Sequence, residues 1–155
     1  MAESQKLAGP LHQRGGAPWV RSSATIYVSD VAGRVHVKIF GVPDCLFCGI
    51  AAGDIPATIV SSNPRTIAFR DINPQAPVHI LVIPRQHHAN VAELAKSDDG
   101  LLADVIAHAH EVAVGEGVAD TGYRVVFNTG PQAGQTVAHV HAHVLGGRPL
   151  TWPPG

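Results

Sequence analysis

Five of the ten histidines in this 155-residue chain fall into two tight groups, His87 with His88, and His139, His141 and His143. The second group takes alternate positions in Val137-Ala138-His139-Val140-His141-Ala142-His143-Val144-Leu145. Alternation is the period of a β-strand, whose successive side chains point to opposite faces. The three imidazoles would then share one face, with Val140, Ala142 and Val144 on the other. Neighbouring rings would rise from Cα atoms roughly 6.6 Å apart, twice the rise per strand residue, so one phosphate-sized group could touch two of them. Three readings fit such a face: a surface strand that happens to carry histidines, a metal site built from neutral imidazoles, or nucleophilic catalysis by a central imidazole that is largely uncharged at neutral pH. The flanks favour catalysis. Gly134-Gln135-Thr136 supplies a flexible backbone, an amide and a hydroxyl before the strand, and Gly146-Gly147 lets the chain turn away after it.

Cys45 and Cys48 are the only cysteines. A disulfide across so short a loop adds little stability, so a metal or redox role is favoured, and the available histidines make the pair a Cys₂His₂ proposal. No carboxylate cluster suited to Mg²⁺ accompanies the histidines. A phosphate site made of imidazole, amide and hydroxyl donors, with no Mg²⁺ required, is the simpler mechanism.

The elements that must position these residues are legible from residue 44 onward. Cys45–Ala51 is a short apolar run, read as a short N-terminal helix. Ile59–Val60, Thr66–Arg70, His79–Ile83, Tyr123–Asn128 and Thr136–Leu145 read as strands. Ser97 reads as an N-cap, with Asp98 and Asp99 in the first turn of a helix whose apolar residues recur from Leu101 to Ala113 and which ends at Gly115 and Gly117. The expected fold is α+β, a roughly five-stranded antiparallel sheet with one main helix between the third and fourth strands.

Residues 1–43 differ in character. Met1–Gly16 is polar and Gly-containing, and two short strands are expected around Ala24–Val28 and Val35–Phe40. The segment reads as an N-terminal extension, as a disordered tail, or as sequence preceding a true start at a valine codon such as Val42; residues 44–155 read as one domain that carries the histidine motif. A formal net charge of −1 provides no basic footprint for nucleic acid. There is no apolar run of membrane-spanning length and no secretory leader pattern, so a cytoplasmic location is expected. Only 15% of residues are charged against 45% hydrophobic, which points to surface buried in an oligomer.

Residues 134–148 and the tail Trp152-Pro153-Pro154-Gly155 carry a resemblance that covers about residues 45–155. The histidine motif resembles that of the histidine-triad family, and the Trp-Pro-Pro-Gly ending resembles its Hint branch, the purine nucleoside phosphoramidases. The resemblance implies that His141 attacks the α-phosphorus of a purine nucleotide and forms a nucleotidyl–histidine intermediate that water hydrolyses. It implies that His143 hydrogen-bonds the phosphate, and that Thr136, where the branch usually has serine, serves the leaving amine or the phosphate. Gly134, Gln135 and Asn128 would complete the phosphate cradle, and Asp71 would take the ribose hydroxyls, or else cap the turn before Asn73-Pro74. Phe69 and Ile72 would line the base pocket opposite Leu46, Phe47 and Ile50. A structural zinc is implied on Cys45, Cys48, His87 and His139, with His88 an alternative to His87. A homodimer is implied, its Trp152 tail near the partner's site. The competing functions are a diadenosine polyphosphate hydrolase or phosphorylase and a nucleotide-binding adaptor. His108 and His110 read as helix-surface or dimer-contact residues, and His12, His36 and His79 as isolated.

Overall fold

The computed structural model describes residues 25–29, 35–39 and 45–154. Contacts between Cα atoms divide the chain into two units, Met1–Ile39 and Phe40–Gly155. In the first, β1 (Thr25–Ser29) and β2 (Val35–Ile39) form an antiparallel pair with Thr25 opposite Ile39. The expectations for Met1–Gly16, Ala24, Phe40 and Val42, and for the side chains of His12 and His36, lie outside the described residues.

The second unit holds α1 (Leu46–Ala52), β3 (Ile59–Ser62), β4 (Thr66–Arg70), β5 (Val78–Pro84), α2 (Val91–Ser97), α3 (Asp99–Gly115), β6 (Tyr123–Phe127) and β7 (Ala142–Gly146). Its five strands are ordered β3-β4-β5-β7-β6, antiparallel throughout. This is the expected α+β architecture. No described helix is long and apolar enough to cross a membrane.

β5 sits at the centre and is buried over all seven residues. Its alternation divides the core in two. Val78, Ile80 and Val82 join Val105, Ala109, Val112 and Val144 on the α3 face. Leu81 and Ile83 join Phe47, Ile50, Ile67 and Phe69 on the α1 face. Each large apolar side chain buried this way stabilises the fold by about 1.5–3 kcal/mol. Register carries the division to β7: Leu81 lies opposite His143 and His79 opposite Leu145. His79 and His143 are therefore diagonal neighbours on the α1 face, within reach of each other's rings.

Three expectations are corrected. The last strand runs Ala142–Gly146, not Thr136–Leu145; residues 137–141 are bends and irregular chain, because the Val140 N–H donates to the His88 carbonyl (2.7 Å) rather than to a ladder. Ser97 is not an N-cap but the last residue of α2, its hydroxyl donating to the Glu93 carbonyl (2.8 Å). The cap of α3 is Asp98, whose carboxylate accepts from Leu101 N–H (2.8 Å). That bond is the main cause holding the Asp98 carboxyl below its ordinary pKa. α2 itself, capped by Asn90 through Glu93 N–H, has an apolar pattern too short to stand out.

His108 is the third. It is 2% exposed rather than on the helix surface. Its Nδ1 shares a hydrogen bond with the Thr66 hydroxyl (2.6 Å) and its Nε2 one with the Ser61 hydroxyl (3.0 Å), pinning α3 to β4 and β3. His110 is exposed and pairs with the Tyr123 hydroxyl (2.9 Å). Burial lowers the His108 pKa, so in the window just below the ordinary imidazole value the unfolded chain binds the extra proton and the fold loses stability. His108→Leu should cost about 1–3 kcal/mol at pH 7, since it leaves the buried Thr66 hydroxyl without its imidazole partner. Its urea midpoint should also fall less than wild type's between pH 7 and pH 5.

Candidate active site

The histidine segment is shaped by the loop that precedes it. After β6 the chain makes a single 3₁₀ turn, Pro131–Ala133, between Gly130 and Gly134, both at positive φ (83° and 79°). Gln135 then fastens the loop. Its Nε2 donates to the Ala89 carbonyl (2.6 Å) and the Val137 carbonyl (3.1 Å), and its Oε1 accepts from Gly130 N–H (3.0 Å). The Gln135 amide is thus committed to backbone groups.

Of the three motif histidines, only His143 lies in a strand. His139 is fully buried and His141 is 5% exposed. His139 Nε2–H donates to the Pro84 carbonyl (2.9 Å), which leaves Nδ1 as its lone pair. His141 Nδ1–H donates to the His139 carbonyl (2.7 Å), which leaves Nε2 of His141 as its lone pair. The expectation that all three rings share one face is corrected accordingly. His141 and His143, with ring centroids 4.9 Å apart, line one pocket of about 720 Å³, while His139 turns toward the cysteines.

His143 has a defined proton arrangement. Gln75 N–H donates to His79 Nδ1 (3.0 Å), so the His79 proton resides on Nε2 and is donated to His143 Nδ1 (2.9 Å). The His143 N–H is then on Nε2, a buried atom that meets no protein partner among the described residues. Burial, with His141 and His79 beside it, pushes the His143 pKa down to about 4. Burial also lowers that of His79, against the opposing charge of Asp71. The result is a neutral imidazole donor.

Most pocket residues expected from the sequence are brought together: Phe47, Phe69, Asp71, Ile72 and Thr136 line the same pocket as His141 and His143, as do Leu46 and Ile50. Phe47 and Phe69 pack edge to face, centroids 5.5 Å apart. Asp71 also caps its turn, accepting from Asn73 N–H (2.8 Å), and its other oxygen lies 3.5 Å from His79 Nε2. Asn128, Gly134 and Gln135 are not among the residues lining this pocket; Asn128 lies against Gly134 at the loop. The residue that sequence reasoning missed is His79. One polar residue within Val78-His79-Ile80-Leu81-Val82-Ile83 was the available signal, but its pairing with His143 depends on strand register.

Cys45, Cys48, His87 and His139 place one ligand atom each within 4.8 Å of the others. Cys45 Sγ and Cys48 Sγ are each 3.5 Å from His139 Nδ1, and Cys48 Sγ is 3.3 Å from His87 Nδ1. A tetrahedral zinc with usual bond lengths has S···N edges of about 3.5 Å, so the donor set fits such an ion. Burial lowers the His87 pKa and takes that of His139 to about 4, holding both in the neutral form a metal ligand needs. The Pro84 carbonyl fixes the His139 tautomer in the sense ligation requires. His88 is outside the cluster, its Nδ1 donating to the Ser97 hydroxyl (3.2 Å). Asp71, His79 and His143 form a second group with metal-type donors, but the Gln75 N–H occupies His79 Nδ1, so Nε2 carries the proton and cannot ligate. That group is a hydrogen-bond relay.

The sequence matches the HIT domain family over residues 52–150. It is 50% identical over 112 residues to an uncharacterized HIT-like protein of Synechococcus elongatus, covering 72% of this chain and 97% of that one. The fold is similar to the crystal structure of a HIT family hydrolase from Legionella pneumophila, with a TM-score of 0.70 and 50% identity over 72% of this chain and all of that one. It is also similar to a histidine triad nucleotide-binding protein from Candida albicans, with a TM-score of 0.61 and 31% identity over 71% of this chain and 83% of that one. With the family model matching residues 52–150 and half of the residues identical to relatives covered over nearly their whole length, the chain belongs to the HIT family.

Proposed function

We propose that this protein hydrolyses nucleoside 5′-phosphoramidates, releasing an amine and the nucleoside monophosphate through a nucleotidyl intermediate on His141. The observation that carries the reading is the hydrogen bond from His141 Nδ1–H to the His139 carbonyl, which presents the Nε2 lone pair toward a pocket shared with a neutral His143 donor. The similarity to a HIT family hydrolase of Legionella pneumophila and to a histidine triad nucleotide-binding protein of Candida albicans supports the reading.

In this reading His141 Nε2 bonds to the α-phosphorus as the P–N bond to the amine breaks. His143 Nε2–H donates to a phosphate oxygen where charge builds, and the Thr136 hydroxyl at the pocket supplies a donor to the amine side. Water then attacks phosphorus, the bond to His141 breaks, and the monophosphate leaves. Asp71 accepts from the ribose hydroxyls while Phe47, Phe69 and Ile72 hold the purine. Arg70 also borders the pocket, but its guanidinium is paired with Glu116 (2.8 and 3.1 Å), so phosphate recognition falls to neutral donors. We assign zinc to Cys45, Cys48, His87 and His139, where it would crosslink α1, the segment after β5 and the histidine loop; the reaction needs no Mg²⁺. We further read the protein as a homodimer. The β6 edge of the sheet, Ile106 and Val114 exposed on α3, and the 84% exposed Trp152 support that reading.

Adenosine 5′-phosphoramidate should be turned over in preference to diadenosine polyphosphates. His141→Ala should lower kcat by at least about 10³-fold while AMP still binds. A preference for the dinucleotide would keep His141 as nucleophile but move the substrate class, and binding without turnover would leave a nucleotide-binding adaptor. His79→Ala should lower kcat by about 10- to 100-fold with little change in KM, and His79→Gln, which keeps an N–H donor, should recover part of it. Removal of residues 150–155 should change the ratio of phosphoramidate to dinucleotide turnover more than the melting temperature; an unchanged ratio would exclude a role for the tail.

A further inference from the structure

Phe47 lies between the two cysteines, in the helix that Cys45 opens. Its ring is 6% exposed and meets four things at once. It packs edge-on against Phe69 (5.5 Å), His139 (6.1 Å) and His141 (5.2 Å), and it forms part of the pocket wall. The Cys/His cluster therefore reaches the pocket by two short routes. One runs from Cys45 and Cys48 through the Phe47 ring to His141. The other runs from the His139 ring through its own carbonyl to His141 Nδ1. A change in how α1 is held against His139 must move the pocket wall and the His141 ring together, because Phe47 is packed against Phe69, His139 and His141 and is open only on the side that faces the pocket.

We infer that Phe47 is a positioning residue that links metal occupancy of the Cys/His centre to nucleotide binding, so that each ligand tightens the other. This rests on the nucleotide reading above and deepens it into regulation of the same site. Filling the centre fixes α1 against the histidine loop, and the ordered wall then receives the purine with less left to organise. Linkage is reciprocal: whatever factor the metal adds to nucleotide affinity, the nucleotide adds to metal affinity.

The test uses the full chain, Zn²⁺ and AMP. AMP affinity is measured by calorimetry on zinc-loaded and metal-free protein. Zinc transfer to a chromophoric chelator is followed with and without saturating AMP. Zinc-loaded protein should bind AMP about 5-fold or more tightly than metal-free protein, and AMP should slow zinc transfer by a comparable factor. Phe47→Leu, which keeps an apolar side chain at the wall, should still take up zinc but bring both factors close to one. Should metal removal unfold the protein, the transfer measurement decides alone, comparing wild type and Phe47→Leu at equal AMP saturation; equal slowing in both overturns the inference. Equal AMP affinity in folded protein with and without zinc also overturns it, while leaving the nucleotide reading intact. Failure of zinc-loaded wild type to bind AMP at all overturns the nucleotide reading, and this inference with it.

Discussion

The fully buried imidazole of His139 is the constraint on which the rest of the site depends. A polar ring in a dry interior is costly unless each polar atom is met. Here Nε2 meets the Pro84 carbonyl, Nδ1 meets the two thiols, and the residue's own carbonyl meets His141. Those contacts join the end of β5, the start of α1 and the neighbouring motif histidine at one point. Removing any one would leave a buried group unsatisfied, so the three elements hold a single relative position. The pocket between them is a consequence of that junction.

The second organising feature is charge neutrality. Desolvation keeps His79, His139 and His143 uncharged; the Gln75 amide decides which nitrogen of His79 carries its proton, His79 in turn decides it for His143, and the Pro84 carbonyl decides it for His139. In the proposed reaction a neutral, oriented N–H donor would meet developing phosphate charge without reorganising. It would also avoid an ion pair that holds the product. Arg70 is near enough to have served as a cation, and Glu116 keeps it occupied.

Much of this was legible in the sequence. The β4 boundaries, the α3 amphipathic pattern, the Cys45/Cys48/His87/His139 grouping and the pocket residues around Phe47, Phe69 and Asp71 all follow from periodicity, turn residues or the family resemblance. What was not legible depended on partners distant in sequence. His79 reads as isolated until β5 and β7 are in register. His108 reads as a surface residue until Thr66 and Ser61 are seen to receive it. Ser97 and Asp98 are both good capping residues, and only the meeting of α2 and α3 decides between them. Gln135 was read as a phosphate donor because an amide beside a histidine motif suggests one, yet three backbone groups claim it first.

The departure of residues 137–141 from strand geometry is the condition for the site. In a regular strand a carbonyl lies in the plane of the sheet, directed at the neighbouring strand, while side chains stand perpendicular to it. Had the motif continued as a strand from Thr136, the His139 carbonyl would have entered the ladder and been unavailable to His141. The bends release it, and the Val140 N–H goes to the His88 carbonyl instead. The same bends let His139 face the cysteines while His141 faces the pocket, two residues apart. Regular structure resumes at Ala142, and His143 then inherits from β7 a fixed place beside His79. Alternating histidines in a sequence suggest one continuous face, but here their division between two environments is what allows one short motif to hold a Cys/His centre and present a free imidazole nitrogen.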